Sequence, residues 1–311
     1  MTETDVAVRE SEDQRYIPLA YLKPWTSERT ICEMQRMQDT VTLRHIDVDE
    51  SGFTADPSAI DEVPAEIAQI CRARFASLAA NDAHDTLWRI ANTQAGEWDA
   101  ELRAGFIQFL IALVFRNPCT VAQIAAGLRE VLDAGNRAQR SRYAMRRSDP
   151  KTFADYVTKA DPQAPLLAAT GYLDDAMNTA AVAEAIENMR WARIGVPRSR
   201  FSLLTSDNPF DMPLSLTDKN AYIALPLGPR ALFIATNNPG LIDSLAKQDH
   251  SKIVRMLNMA TVTQARDHVW ATDESQYAFV TNHFGSAPVK RLLSDRPRQT
   301  ALAALETRPA R

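Results

Sequence analysis

The sequence predicts an α+β fold: a central helical bundle packed on a mixed or antiparallel sheet, formed from an N-terminal hairpin and C-terminal strands. Three observations predict it. Two β-rich runs, Thr30 to Met37 and Thr40 to Val48, lie close together near the start. Helical patterns then dominate from Ala65 to Trp191, and from Arg198 onward short β-rich runs return, followed by one more helical stretch. Strands, helices, strands and a helix, in that order, argue for one domain whose sheet joins both ends of the chain.

Residues 1–14 are polar and read as a disordered N-terminus, ahead of a single α+β domain over 15–285 and a loosely ordered tail over 286–311. Tyr16 to Trp25 is apolar and aromatic with two prolines, which suggests an extended segment docked on the core. The two β-rich runs, joined near Gln38-Asp39, read as a hairpin. Asp47 to Pro64 is acidic and turn-rich.

Ala65 to Ala80 places Ile67, Ile70, Cys71, Phe75 and Leu78 close to helical periodicity. Glu97 to Arg116 is apolar around most of its circumference after the first turn, which puts it at the centre of the bundle. Asn117-Pro118 ends it, because a residue before proline disfavours the helical region. Thr120 is the expected N-cap of a helix through Ile124, Leu128 and Leu132. Lys151 to Trp191 supplies one or two further helices, broken at Asp161-Pro162. Strands are expected at Phe201 to Thr205, Ala221 to Leu225 and Ala231 to Thr236, the last two joined by a turn at Pro226-Leu227-Gly228-Pro229. A helix from Gln248 to Val269 follows, and Trp270 to Thr281 closes the fold.

The 311 residues suffice for a full core, and 45% hydrophobic with 24% charged residues is ordinary globular composition. A formal net charge of −4 argues against wholesale coating of nucleic acid. Three cysteines, Cys32, Cys71 and Cys119, lie far apart without CxxC or Cys/His spacing, and read as reduced thiols of a cytoplasmic protein. Glu3, Asp5, Glu10, Glu12 and Asp13 make the start unlike a basic signal peptide. The apolar region Gly105 to Phe115 is about half the roughly 20 residues of a membrane span, so no membrane association is expected.

The ten glycines form no GxGxxG, GxxxxGK[ST] or GxSxG, and HExxH is absent. These absences argue against Rossmann dehydrogenases, P-loop enzymes, α/β-hydrolases and zincins. The five histidines form no pair at ligand spacing; His45 is the mild exception, close in sequence to Asp47, Asp49 and Glu50. Those carboxylates are hard ligands suited to Mg²⁺ or Mn²⁺, though a solvated turn is the plainer reading. Arg137, Arg140, Arg142, Arg146, Arg147 and Lys151, with Tyr143 among them, form a basic run able to grip nucleic-acid phosphates. Its plainer reading is a solvated helix end whose cations complement the dipole. Arg116, leaving the most apolar helix, needs a carboxylate, a carbonyl or a ligand anion.

The most informative stretch is Thr205-Ser206-Asp207-Asn208-Pro209, where an apolar run delivers polar residues into a turn. With it stand Tyr16-Ile17-Pro18-Leu19-Ala20-Tyr21-Leu22 near the start, Glu50-Ser51-Gly52-Phe53, Arg116-Asn117-Pro118, Pro226 to Pro229, and Asn258 with Arg266. In this order, over about residues 15 to 275, they resemble the family catalogued as "domain of unknown function 4238". The resemblance implies an α+β fold and one polar cluster built from distant segments, and it brings no activity with it. Arg15 stands where that family's opening pattern has a histidine, so chemistry based on that histidine would be altered here.

Two readings stay open at this point. One is a metal-assisted or acid/base hydrolase acting on phosphodiesters. In it Glu50 and Asp207 supply carboxylates, to Mg²⁺ or Mn²⁺ if a metal is used, Arg116 clamps an anion, and Asn208 and Asn258 orient the site. The other is a non-catalytic binding or regulatory module, in one version of a defence or toxin system, whose polar cluster is structural.

Overall fold

The computed structural model describes residues 17–38, 40–51, 65–77, 83–142, 164–212, 215–288 and 296–307. It opens with helix α1 (Leu19–Leu22), a 3-10 turn at Lys23–Trp25, and strands β1 (Thr30–Met37) and β2 (Thr40–Asp47). Helices α2 (Ala65–Ser77), α3 (Ala83–Asn92), α4 (Ala100–Phe115), α5 (Pro118–Arg142), α6 (Ala164–Ala176) and α7 (Thr179–Glu187) follow. Strands β3 (Arg190–Gly195), β4 (Thr205–Ser206), β5 (Tyr222–Gly228) and β6 (Ala231–Thr236) come next. The chain continues through α8 (Pro239–Ala246), α9 (His250–Gln264), β7 (His268–Ala271), α10 (Tyr277–His283) and α11 (Arg296–Thr307). The fold is α+β, with two antiparallel sheets, ordered β2-β1-β7-β4 and β3-β6-β5. The expected N-terminal disorder over 1–14, Arg15-Tyr16, Phe53, Tyr143, Arg146, Arg147 and Lys151 lie outside the described residues.

Contacts gather the chain into two compact units, where the sequence reads as one domain over 15–285. One unit is 1–55, 78–117 and 180–290; the other is 56–77, 118–179 and 291–311. In the first, β1 and β2 form the hairpin the sequence predicts, from Thr30 opposite Asp47 to Met37 opposite Thr40. The connection is tight, and Gln38 there takes φ 56. The inner edge of β1 pairs with β7, Cys32 opposite Ala271 to Gln35 opposite His268, so this sheet does join both ends of the chain. One face carries Cys32, Met34, Val269 and Ala271 into an apolar core with Val262, Val280 and Phe284.

The second sheet is covered on both sides, which is why β6 is buried along its whole length. On one face Phe233 meets Phe106 of α4 edge-on at 4.7 Å between ring centroids and Trp191 of β3 at 5.1 Å. On the other, Leu232 and Ile234 join Leu245, Ile253 and Leu257 of α8 and α9. Burying each such side chain contributes about 2 kcal/mol of transfer free energy. Helix α4 is therefore central, as its apolar circumference predicts. Asp99 caps it by accepting from Leu102 N at 2.8 Å.

The described residues of the second unit are mostly helical. A Cβ at Gly127 would collide with the Tyr172 hydroxyl, so the tyrosine ring of α6 packs directly on the α5 backbone there. Leu128, Val131 and Leu173 are buried in this unit.

Several boundaries depart from expectation, each for a local reason. Within the stretch expected to be extended, Tyr16 to Trp25, the chain instead turns after Pro18 into α1 and then, with Pro24, into a 3-10 turn, burying Tyr21, Leu22 and Trp25. Helix α5 begins at Pro118 rather than after Thr120, since proline suits a first helical position. The helical reading over Lys151 to Trp191 runs two residues too far: Arg190 and Trp191 open β3 (Arg190–Gly195), because pairing with β6 overrides their propensities. The turn expected at Pro226 to Pro229 is displaced: β5 runs through Pro226 to Gly228 with an irregularity there. The single helix over 248–269 is shorter, α9 ending at Gln264 and His268-Val269 belonging to β7. The tail over 286–311 contains α11, anchored by buried Ala301 and by Arg298 Nη1 at 2.6 Å from Glu130 Oε2.

Candidate functional site

From Leu203 to Phe210 the chain is largely buried, yet only Thr205 and Ser206 pair with a strand, opposite Trp270 and Val269. A buried backbone that lacks a ladder must find other partners, and side chains from four distant segments provide them. Trp25 Nε1 donates to Leu203 O at 2.8 Å. Asn258 accepts from Leu204 N through Oδ1 at 3.0 Å and donates through Nδ2 to Ser202 O at 2.9 Å. Gln276 Nε2 donates to the same Ser202 oxygen at 2.9 Å, and its Oε1 accepts from Asn258. Gln264 Nε2 donates to Asn208 O at 3.0 Å and to Phe210 O at 2.8 Å. Asn117 Nδ2 donates to Asp207 O at 3.2 Å. The Tyr21 hydroxyl contacts Thr205 Oγ1 at 2.9 Å and donates to Pro226 O at 2.8 Å.

Asp207, 3% exposed, works in the opposite sense. Its carboxylate accepts the backbone N–H groups of Arg266 at 2.9 Å, Asp267 at 2.6 Å and His268 at 3.2 Å, across the bend between α9 and β7. Its own N donates to His268 O at 3.0 Å. Burial pushes its carboxyl up to about 6, against the pull of those three N–H donors. An Asx turn of Asp207 or Thr205 onto 208–211 is not formed. Ser206 makes the local turn, its Oγ accepting from Asn208 N at 3.1 Å.

The other predicted site residues do not meet it. Glu50 is exposed in the turn after β2 and makes no ion pair among the described residues. Arg116 stands half-buried at the end of α4, its N donating to Ala112 O at 2.9 Å; its guanidinium is not a partner of Asp207, which backbone donors already satisfy. Asn258 is 1% exposed and committed to the strand. Asn208 is half-buried, and its Oδ1 has no hydrogen-bond partner among the described residues. Asp47 and Asp49 face Arg29 at 3.6 and 3.2 Å, the solvated turn of the plainer reading, and His45 lies 3.5 Å from Glu274. Among the described residues no three His, Cys, Asp or Glu side chains gather as a metal-binding group. Of the basic run, Arg137 is exposed at the end of α5, and Arg140 and Arg142 are described in their backbone alone. Cys32 and Cys71 are buried; burial pushes the Cys32 thiol up to about 11 and raises that of Cys71 too.

Two features escape sequence reasoning. The first is Glu33, 2% exposed in the interior of β1. Its Oε1 lies 3.2 Å from His268 Nδ1 and accepts from Trp270 Nε1 at 3.2 Å, while its Oε2 takes Arg44 Nη2 at 2.6 Å. Burial alone would raise Glu33, but the hydrogen bonds and charges of His268 and Arg44 prevail and hold it below the usual carboxylate range. His268 stacks on Trp270, rings 7° from parallel. A glutamate flanked by Cys32 and Met34 in a β-rich run is the signal that was available.

The second is a pocket of about 320 Å³ lined by residues of α1, the 3-10 turn, α3 and β5, among them Tyr21, Pro24, Leu87, Trp88, Ala91 and Leu227. Trp88 is 60% exposed, whereas the other four tryptophans, Trp25, Trp98, Trp191 and Trp270, are exposed by 6% or less. Lys23, His84 and Asn92 complete the polar part of the lining, and Asn92 Nδ2 donates to Trp88 O at 2.8 Å. An apolar concavity with a few convergent polar groups is the usual form of a small-molecule site.

Against known families, the chain matches the one described as "Protein of unknown function (DUF4238)" over residues 14–275. No curated protein and no solved structure matches it.

Proposed function

The chain belongs to the DUF4238 family, and from that premise we propose that this member is a non-catalytic binding module. Its Thr-Ser-Asp-Asn-Pro motif acts as a structural tie, and the pocket beside Trp88 is the place of ligand contact. The observation that carries this reading is the use of Asp207: both carboxylate oxygens are taken by backbone N–H groups of 266–268. Asn258 is committed in the same way. A hydrolase built on these residues would need an oxygen or an amide directed at a substrate, and Glu50 and Arg116 add nothing to the Asp207 carboxylate. Moving the chemistry to His268 and Glu33 does not restore it, since at 5% and 2% exposed neither is reached by substrate unless the chain opens.

Thermal unfolding of Asp207→Ala tests the tie. Three backbone donors would lose their acceptor, two in part-buried bonds and one in a buried bond, at a cost on the order of 3 kcal/mol. For a chain of 311 residues that corresponds to a melting temperature lower by roughly 5 °C. A residue kept for chemistry can be removed without loss of stability. An Asp207→Ala protein that melts at or above the wild-type temperature would therefore overturn the tie.

A further inference from the structure

We propose that the Trp88 pocket takes a small molecule with an aromatic ring and an anionic arm, a carboxylate or a phosphate. This rests on the binding reading above and names its ligand class. The apolar body of the pocket comes from Tyr21, Pro24, Leu87, Ala91 and Leu227, with the indole of Trp88 as the side wall open to solvent. Its volume of about 320 Å³ exceeds the roughly 150 Å³ that accepts a benzene ring, leaving room for a second ring or a short chain. An exposed indole surface loses water contact when another ring stacks on it, a gain beyond simple area burial.

Charge decides between ligand classes. The face of a tryptophan alone would accept a cation as readily as a neutral ring. Lys23, however, is exposed at the rim and makes no ion pair with any described residue, and His84 lies exposed on the same lining. No carboxylate is among the lining residues. A cationic ligand would meet an ammonium and no counter-charge, whereas an anionic arm meets Lys23 directly. Asn92, tied to the carbonyl of Trp88 through Nδ2, holds the end of the helical turn that presents the indole.

The sole exposed tryptophan also reports on the site. Excitation at the red edge of indole absorption, with 3-phenylpropionate as probe, is expected to give a saturable blue shift of the Trp88 emission. The neutral 3-phenylpropan-1-ol should bind about three- to tenfold more weakly, in line with a partly exposed charge pair. Lys23→Gln should abolish that difference, and 3-cyclohexylpropionate should bind more weakly than the phenyl acid. Trp88→Phe should remove the optical signal, with calorimetry following the binding that remains. Both substitutions are at exposed positions, and melting curves confirm that the variants fold. An alcohol that binds as tightly as the acid, or an acid indifferent to Lys23→Gln, overturns the anionic ligand; a cyclohexyl acid that binds equally overturns the aromatic one. Either leaves the binding reading standing. If no probe gives a saturable optical or heat signal, the pocket is not a ligand site and both readings fall.

Discussion

The strand around Asp207 and the pocket around Trp88 belong to the same unit and are built on opposite terms. Along 202–210 the family motif is densest and openness least. Ser202 O, Leu203 O, Leu204 N, Asn208 O and Phe210 O each take a side-chain partner, because a two-residue β4 leaves them without a ladder. Around Trp88 two resembling stretches supply only apolar wall, through Ala20, Tyr21 and Leu227, while an indole, an ammonium and an imidazole outside them face solvent. The contrast teaches that a specific polar motif can mark backbone in need of partners rather than chemistry. Contact with the outside is better sought where polar groups are left over.

The sharpest way to break the comparison is at Glu33, the other carboxylate buried in the sheet. Glu33→Ala would leave Trp270 Nε1 without its acceptor and Arg44 without its carboxylate, at a cost of about 3 kcal/mol. The half-exposed Arg44 can turn to water, which keeps the loss at the low end for a buried pair. Chemical denaturation measures it. A variant within 0.5 kcal/mol of wild type, about the level of an ordinary surface change, would mean that the cluster is not a structural one.

The two carboxylates should also part company with pH. Asp207 is raised on folding, so the folded chain holds its proton where the unfolded chain has lost it. The stability it contributes is full below about 4 and is lost as pH rises through about 6. A rise of roughly two units corresponds to on the order of 3 kcal/mol at most. Asp207→Asn removes that titration, so its stability relative to wild type should improve steadily from pH 4 to pH 7. A constant difference across that range would refute the raised value. Glu33 is lowered and acts the other way: its contribution is present above the ordinary carboxylate range and lost as pH falls through its folded value.

The smallest effect is expected at the pocket. Trp88→Ala removes an indole that is 60% exposed, and its melting temperature should match wild type to within about 2 °C. A loss as large as that at Asp207 would make Trp88 a packing residue and erase the contrast between the two regions.

Much of the fold is legible in the sequence, because it rests on local pattern. The hairpin follows from two adjacent β-rich runs, and the central place of α4 from an apolar circumference. What escapes is decided by distant partners. Arg190 to Gly195 becomes a strand because β6 lies beside it, and His268 to Ala271 because β1 does. Within the candidate site, the acceptor role of Asp207 is legible in kind, as a side chain bonded to nearby backbone. The donors lie some 60 residues away instead of two, a choice that only tertiary packing makes. Glu33 hides because a charged residue in a strand is usually turned to water, and β1 instead lies between two other strands. The pocket leaves no trace, as its walls come from separate elements that share no spacing.

The pairing of β1 with β7 sets a timetable for synthesis. About 235 residues separate the two strands, and at 5–20 residues per second the ribosome takes roughly 12–47 seconds to bridge them. During that interval the nascent hairpin presents β1 as an open edge, with Cys32 and Met34 on the face that later becomes core. The hairpin is thus completed by β7, the last of the described strands, and the growing chain must be kept from other edges until it emerges.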